Sequence, residues 1–230
     1  YNKVTFSVST GLMSNGWAIT LMGARTWGDG YIQGTSFEGY NYFANISKRI
    51  NENHQLSLTG FGAPQQHYQR SGGLTMAEWN NVRKYMKDGM HFSRYNPTYG
   101  YDDYGNQNSA NYNVYHKPQI SLNHIWQIDH KSSLSTTAYV SLGRGYGRTA
   151  EPGYNSSYSY TDLTYGANYG TLSHTFRRED GTFDYGAVEF ANNPNNPIYD
   201  PNFDQFEKMY AGSQLVICEN RNDHNWYGLT

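Results

Sequence analysis

The sequence is short of cysteine, of charge and of long apolar runs, and each shortage removes a class of answer. A single cysteine, Cys218, among 230 residues cannot form an internal disulfide or a cysteine-based metal centre, and it reads as a free thiol. No stretch of about 18 apolar residues occurs, so no transmembrane helix is expected. Charged side chains make up 16% of the chain and sum to a net charge of −2, which gives nucleic acid no electrostatic footprint. Hydrophobic residues reach 37% with a mean hydropathy of −0.81, less Leu, Ile and Val than a core folded in water calls for. Catalytic signatures are missing too: there is no Gly-x-Ser-x-Gly, His-Glu-x-x-His or phosphate-binding glycine loop. The chain therefore reads as a non-enzyme, with no catalytic residue, cofactor or metal site assigned.

What it has in quantity is aromatic side chains, 17% of the residues with 23 tyrosines, and a two-residue alternation. Strand-like segments cover residues 3–13, 17–27, 40–50, 54–62, 118–128, 132–143 and 223–230. Their connections alternate between short and long. Ser14-Asn15-Gly16 is a tight Asn-Gly hairpin signal, and residues 51–53 and 129–131 are equally tight. Residues 28–39, 63–117 and 144–222 are long loops, two of them far beyond the usual length inside a compact domain. All short turns thus fall at one end and all long loops at the other. Because the chain opens and closes on strand-like segments, it is expected to be a section of a longer protein.

An up-and-down antiparallel sheet of this kind is the pattern of an outer-membrane β-barrel, with short periplasmic turns and long extracellular loops. The side-chain alternation agrees. Trp17, Ile19, Leu21 and Gly23 share one face of their strand, against Ala18, Thr20, Met22, Ala24 and Thr26 on the other. Val4, Phe6 and Val8 oppose Thr5, Ser7 and Ser9; Leu134, Ala138, Val140 and Leu142 oppose Ser135, Thr137, Tyr139 and Ser141. A half-buried soluble sheet alternates in the same way. The aromatic positions discriminate better. Trp17 follows the first tight turn and Trp126 precedes the third, while Trp27 ends its strand at the loop end, with Phe61 and Tyr40 or Tyr42 near its level. Ten steps of about 3.3 Å along a strand tilted by about 40° rise roughly 25 Å, the height of an apolar band between two aromatic girdles. Trp17, Trp27 and Trp126 are accordingly the expected membrane-interface residues. Arg25 and His124 are the polar exceptions on that face.

Here the residues carry a family resemblance. The runs "TGFGAPQQHYQR", "LTMAEWNNVRKYM", "NYNVYHKPQISLNHIWQI" and "RNDHNWYGL" resemble the barrel region of TonB-dependent outer-membrane receptors of Bacteroidetes, the broad group that includes SusC-like transporters. The resemblance implies an all-β fold, an antiparallel up-and-down transmembrane β-barrel of which this chain supplies about seven of 22 strands, with long extracellular loops containing short helices. It also implies a plug domain outside this stretch and import of a nutrient (glycan, peptide or metal chelate) across the bacterial outer membrane. The TonB complex, engaged through a region outside this stretch, would supply the energy. A surface-exposed lipoprotein lid, outer-membrane lipid and lipopolysaccharide are the further partners it allows. Two other readings share part of the pattern. One is a passive porin, adhesin or barrel enzyme without a plug; the other is a secreted carbohydrate-binding β-sandwich.

The long loops are where binding residues are sought. Thr75 and Glu78 form a capping box for a helix to about Lys87, with Met76, Trp79, Val82 and Met86 on one stripe and Gly89 as a stop. Asn202 caps a second expected helix, and Thr182 starts a third around "FDYGAVEFA". Trp79, Tyr99, Tyr101, Asp102, Asp103 and Tyr104 are the candidate ligand-binding residues, because aromatic faces interleaved with carboxylates and amides suit sugar rings and polar ligands. Asp102-Asp103 with Asn106 and Asn108 misses the calcium-loop spacing. Arg144 and Arg148 of "GRGYGR" suit lipopolysaccharide phosphates or a ligand anion, and His67, His91, His116 and His174 are scattered through the loops.

Overall fold

The computed structural model describes residues 1–70, 75–86, 90–152, 176–192 and 215–230. It is mostly antiparallel β-sheet with little helix. The strands are β1 (Asn2–Ser9), β2 (Trp17–Gly28), β3 (Phe37–Arg49), β4 (His54–Gly62), β5 (Gln65–Tyr68), β6 (Tyr99–Tyr101), β7 (Gln107–Ser109), β8 (Tyr112–His116), β9 (Gln119–Gln127), β10 (Ser133–Pro152), β11 (Phe183–Asp184), β12 (Leu215–Arg221) and β13 (His224–Leu229); the helices are α1 (Met76–Asn81) and α2 (Tyr185–Asn192).

The main sheet is a meander in which each strand pairs with the next, β1-β2-β3-β4-β9-β10-β13. The shorter strands continue the longer ones without a change of register. Gly39 pairs Gln65 of β5 just as Tyr42 pairs Gly62 of β4, and the same holds for β8 with β9 and β12 with β13 against β10. Two of the gaps fall at Pro64 and Pro118, which lack the ladder N–H. Their carbonyls still accept from Tyr40 (2.8 Å) and Leu142 (3.2 Å), so the sheet runs on through the interruption. Seven long strands result, as the alternation predicts, but they reach further toward the loop end. The three loops shorten accordingly: β2 and β3 cover Gly28 and Phe37 onward, β5 and β8 take both ends of 63–117, and β10 and β12 take both ends of 144–222. β5, β8 and the end of β10 are rich in Tyr, Gln, Asn, Arg and Gly, whose backbones pair while their side chains give no apolar alternation; β12 opens on Leu-Val-Ile-Cys.

Each tight turn is held by local chemistry. Gly16 sits at φ 81°, and a Cβ there would lie 2.7 Å from the Arg49 carbonyl, so glycine is required. The Asn51 side chain accepts from the backbone N–H groups of Asn53 and His54 (2.9 Å each), and Asp129 accepts from that of Lys131 (2.7 Å), both Asx-type turns.

The register assigns every side chain to a face. Val8, Leu21, Ala44, Gly60, Ile120, Val140 and Tyr227 lie in one row across seven strands. Ile19, Ile46, Leu58, Leu122, Ala138 and Leu229 form the next. The opposite face carries Ser9, Thr20, Asn45, Thr59 and Ser121 in a row, linked by side-chain bonds such as Asn45 to Thr59 (2.8 Å) and Thr137 to Asn123 (3.0 Å). Phe61 belongs to this polar face, opposite Phe43 and Gln119, and so does not join the Trp27 girdle. Tyr40 and Tyr42 do share the parity of Trp27.

No described residue packs over the apolar face: Leu58 is 47% and Ile120 51% exposed. The buried hydrophobic residues lie in the loops. Val82 and Tyr95 form one cluster with Trp79, Tyr85, Met86 and Phe92 around it; Ala110, Phe183, Tyr185 and Val188 form a second. A small sheet of β11, β6 and β7 joins the two long loops. Gly100 must be glycine, since a Cβ there would collide with the Phe183 carbonyl.

The loop helices differ from expectation in detail. The first begins after Thr75, whose carbonyl accepts from Trp79 (2.9 Å), but tightens into a 3-10 turn over Val82–Tyr85; its expected end at Lys87 and Gly89 lies outside the described residues. The third starts at Tyr185, not Thr182. The Thr182 hydroxyl donates to Asp180 (2.6 Å), and it is Asp184 that accepts the Ala187 N–H (3.0 Å) as the cap. The helix expected after Asn202, like His174, lies outside the described residues.

Candidate functional site

Beneath the loops a cavity of about 660 Å³ opens between β2, β3 and β5, with Ile32, Thr35 and Arg70 at its rim. Most of its lining has polar-face parity. Thr26, Gly39 and Gln65 lie in one register row, Phe37 and His67 in the next. Asn41 and Gln69 complete an uncharged set of amides and a hydroxyl. Among the described residues the side chains of Asn41, Gln65, His67 and Gln69 make no hydrogen bond, so their donors and acceptors are available to a ligand. The charged groups near it are engaged elsewhere. Arg70 donates to the carbonyls of Ser93 (2.7 Å) and Tyr95 (3.0 Å) and lies 4.8 Å from the Trp79 ring; Glu38 pairs with Arg25 at 2.6 Å. The cavity suits a neutral, hydroxyl- or amide-rich ligand with one apolar face against Phe37.

The loop residues that the sequence offers as ligand contacts stand apart from this cavity. Trp79 packs on Phe92 and Arg70. Tyr99 and Tyr101 share a short hydroxyl–hydroxyl bond, and burial, then Tyr101, pushes the Tyr99 phenol well above its ordinary range. Asp102 shapes its own turn, accepting from the backbone of Tyr104 (2.9 Å) and Asn106 (2.8 Å) and from the Asn106 amide (2.8 Å). The Asn106 amide, joined by those backbone N–H groups, outweighs burial and holds the Asp102 carboxyl below its usual value. Asp103 is exposed beside Gly186, and Tyr104 is 86% exposed. None of the six lines the cavity. Apart from His67, the lining residues carry no binding signal in the sequence, because "QQHYQR" alternates polar with polar. Its only signal was position, directly after an apolar strand.

The loops roof this region as one unit. Arg177 donates to the Tyr95 hydroxyl (2.7 Å) and the Gly181 (3.0 Å) and Pro97 (3.2 Å) carbonyls. Tyr185 accepts the Ala110 N–H (2.8 Å) and donates to the Thr98 carbonyl (2.6 Å); burial raises its phenol well above the ordinary range. The first loop is tied in by Gln33, whose N–H donates to the Arg94 carbonyl (2.8 Å) and whose carbonyl accepts from the Asn96 amide (3.0 Å).

The expected interface tryptophans share the apolar face. Trp17 lies opposite Lys48, whose ammonium is 5.1 Å from its ring. Trp126 lies opposite His54 and stacks on it at 5.6 Å, and His54 in turn bonds His124 at 3.0 Å, which gives the histidine on this face a polar partner. Trp27 lies 4.6 Å from the Arg25 guanidinium. No family model, curated protein or solved structure matches this chain.

Proposed function

We propose that this chain is part of the barrel wall of a bacterial outer-membrane transporter, and that the cavity under its loops receives a polar, uncharged nutrient on its way inward. One observation carries the reading: an apolar face continuous across seven strands with no described residue packed on it, backed by a hydrogen-bonded polar face. Hydrocarbon outside and water inside require that pairing. The Trp17 and Trp126 rings at the turn end, Trp27 at the loop end, and the division of short turns from long loops support the same orientation. A soluble two-layer sandwich would cover its apolar face with a second sheet. Among the described residues no strand pairs with the outer edges of β1 and β13, and open edges in lipid would leave backbone groups unsatisfied, so the reading calls for further strands there. Energy from a TonB complex rests on the resemblance of the motifs given above.

The test uses the full parent polypeptide, isolated from membranes and read by intact mass spectrometry. A signal sequence and a plug-sized domain before Tyr1, with uptake lost on collapse of the inner-membrane proton gradient, are expected. Barrel strands with no plug would make the protein a passive pore, adhesin or barrel enzyme. Recovery in the aqueous fraction would remove the membrane reading.

A further inference from the structure

We propose that the cavity under the loops reads the backbone of a short, extended, uncharged peptide, an inference that names the nutrient class of the transporter reading and rests on it. The floor of the cavity suits one edge of such a chain. Thr26, Gly39, Gln65, Tyr115 and Gly145 lie in one register row of the polar face, and Gly28, Phe37, His67, Asn113 and Gly147 in the next. Gly39 stands beside Gln65, where a Cβ would lie 3.6 Å from that of Gln65; its absence leaves the Gln65 amide uncovered on that flank. Gln65 and His67 point to this face from β5, and the ladder carries on to Gln69, whose N–H donates to the Asn111 carbonyl (3.0 Å). All three line the cavity.

Spacing selects the ligand. Alternate residues of a strand stand about 6.7 Å apart, and an extended peptide repeats by the same length, turning the N–H and C=O of every second residue to one edge. A primary amide holds a carbonyl oxygen and an NH₂ group side by side, so it closes a two-bond ring with that N–H and C=O. Gln65 and Gln69 can each close one, with the His67 imidazole at the ligand residue between them. Asn113, beside His67, adds another amide whose side chain makes no hydrogen bond among the described residues. From Gln65 to Gln69 the face runs about 13 Å, the length of about five extended residues, and Ile32, Phe37 and Ala63 give their side chains an apolar wall. A sugar chain is served less well, because its ring faces stack on broad aromatic plates and its hydroxyls bond most strongly to charged groups. Phe37 and His67 are the only rings among the lining residues of polar-face parity. Glu38 is spent on Arg25 at 2.6 Å and Arg70 on the carbonyls of Ser93 and Tyr95, which leaves a charged peptide unmatched as well.

The full parent protein in detergent is incubated with a pool of N-acetylated, C-amidated pentapeptides of Gly, Ala, Val, Ser and Thr, and bound ligand is read by native mass spectrometry. Wild type is expected to retain the pool, and to retain about tenfold less of its depsipeptide counterpart, in which ester oxygens replace the amide N–H groups and remove the donors without changing the chain's length. The Gln65→Ala/Gln69→Ala double variant should lose as much. Equal retention of peptide and depsipeptide, retention of neutral glucose oligomers in place of peptide, or no retention of peptide at all overturns the inference and leaves the transporter reading standing. Membrane fractionation of the same preparation tests that reading separately, and recovery of wild type in the aqueous fraction overturns it whatever the peptides do. Should the double variant misfold, the depsipeptide comparison decides alone, since it alters only the ligand.

Discussion

Asp184 shows how a single carboxylate can serve the loops. Burial alone would raise its pKa, but the Arg178 hydrogen bond (3.0 Å) and the N–H groups of Ala187 and Gly186 outweigh it and hold the carboxyl below the ordinary 3.8. A depressed folded pKa means stability that is present above the unfolded value and lost as pH falls through the folded one. Hydrogen exchange at α2 and β11 is therefore expected to stay protected from neutral pH down to about 4 and to accelerate below it. Asp184→Asn should flatten that pH dependence, and an unchanged acid response in the variant would assign it to another group. The sequence did not reveal Asp184 as a cap, because Thr182 satisfies the same pattern two residues earlier. Its hydroxyl is taken by Asp180, two residues back in a local turn.

At the scale of strands, the face assignment makes the sharpest prediction. Arginine at Leu21 or Val140, in the middle row of the apolar face, is expected to destabilise the protein in a bilayer by roughly 2–4 kcal/mol, while arginine at neighbouring Thr20 or Ser141 should be mild. Urea titration in lipid vesicles measures both, and equal costs on the two parities would reject the assignment. The seven strands, their order of turns and their two faces were legible because apolar and polar residues alternate along them. The continuations past Pro64, Pro118 and Gly143 were not, since their side chains are mostly polar on both faces and no hydrophobic period remains to read. The same blindness hid the cavity: Gln65, His67 and Gln69 stand on such a continuation. Of the tyrosines and aspartates offered as ligand contacts, Asp102 shapes a turn and Tyr99 and Tyr101 bond each other, contacts that the composition of the loop does not specify.

For the whole molecule, the low hydrophobic content has a structural reason. The sheet spends its apolar residues outward, and the only clusters buried among the described residues are the two in the loops. Phe183→Ala should consequently cost the loop unit about 3–5 kcal/mol while leaving the strands inserted. Loop-specific loss of exchange protection with unchanged membrane fractionation would display that separation, and collapse of both together would show that the loops hold the sheet. The uncovered apolar face also sets how this sequence can drift. On the proposed outer-membrane reading that face meets a fluid neighbour, which asks a side chain only to be oily, not to be a given shape, so Leu, Ile, Val and Phe can exchange there one at a time. Around Tyr95 and Phe183 a change in one residue needs a matching change in another. Descendants should therefore keep the rhythm of the strands while losing their letters, and alter the loops in linked sets.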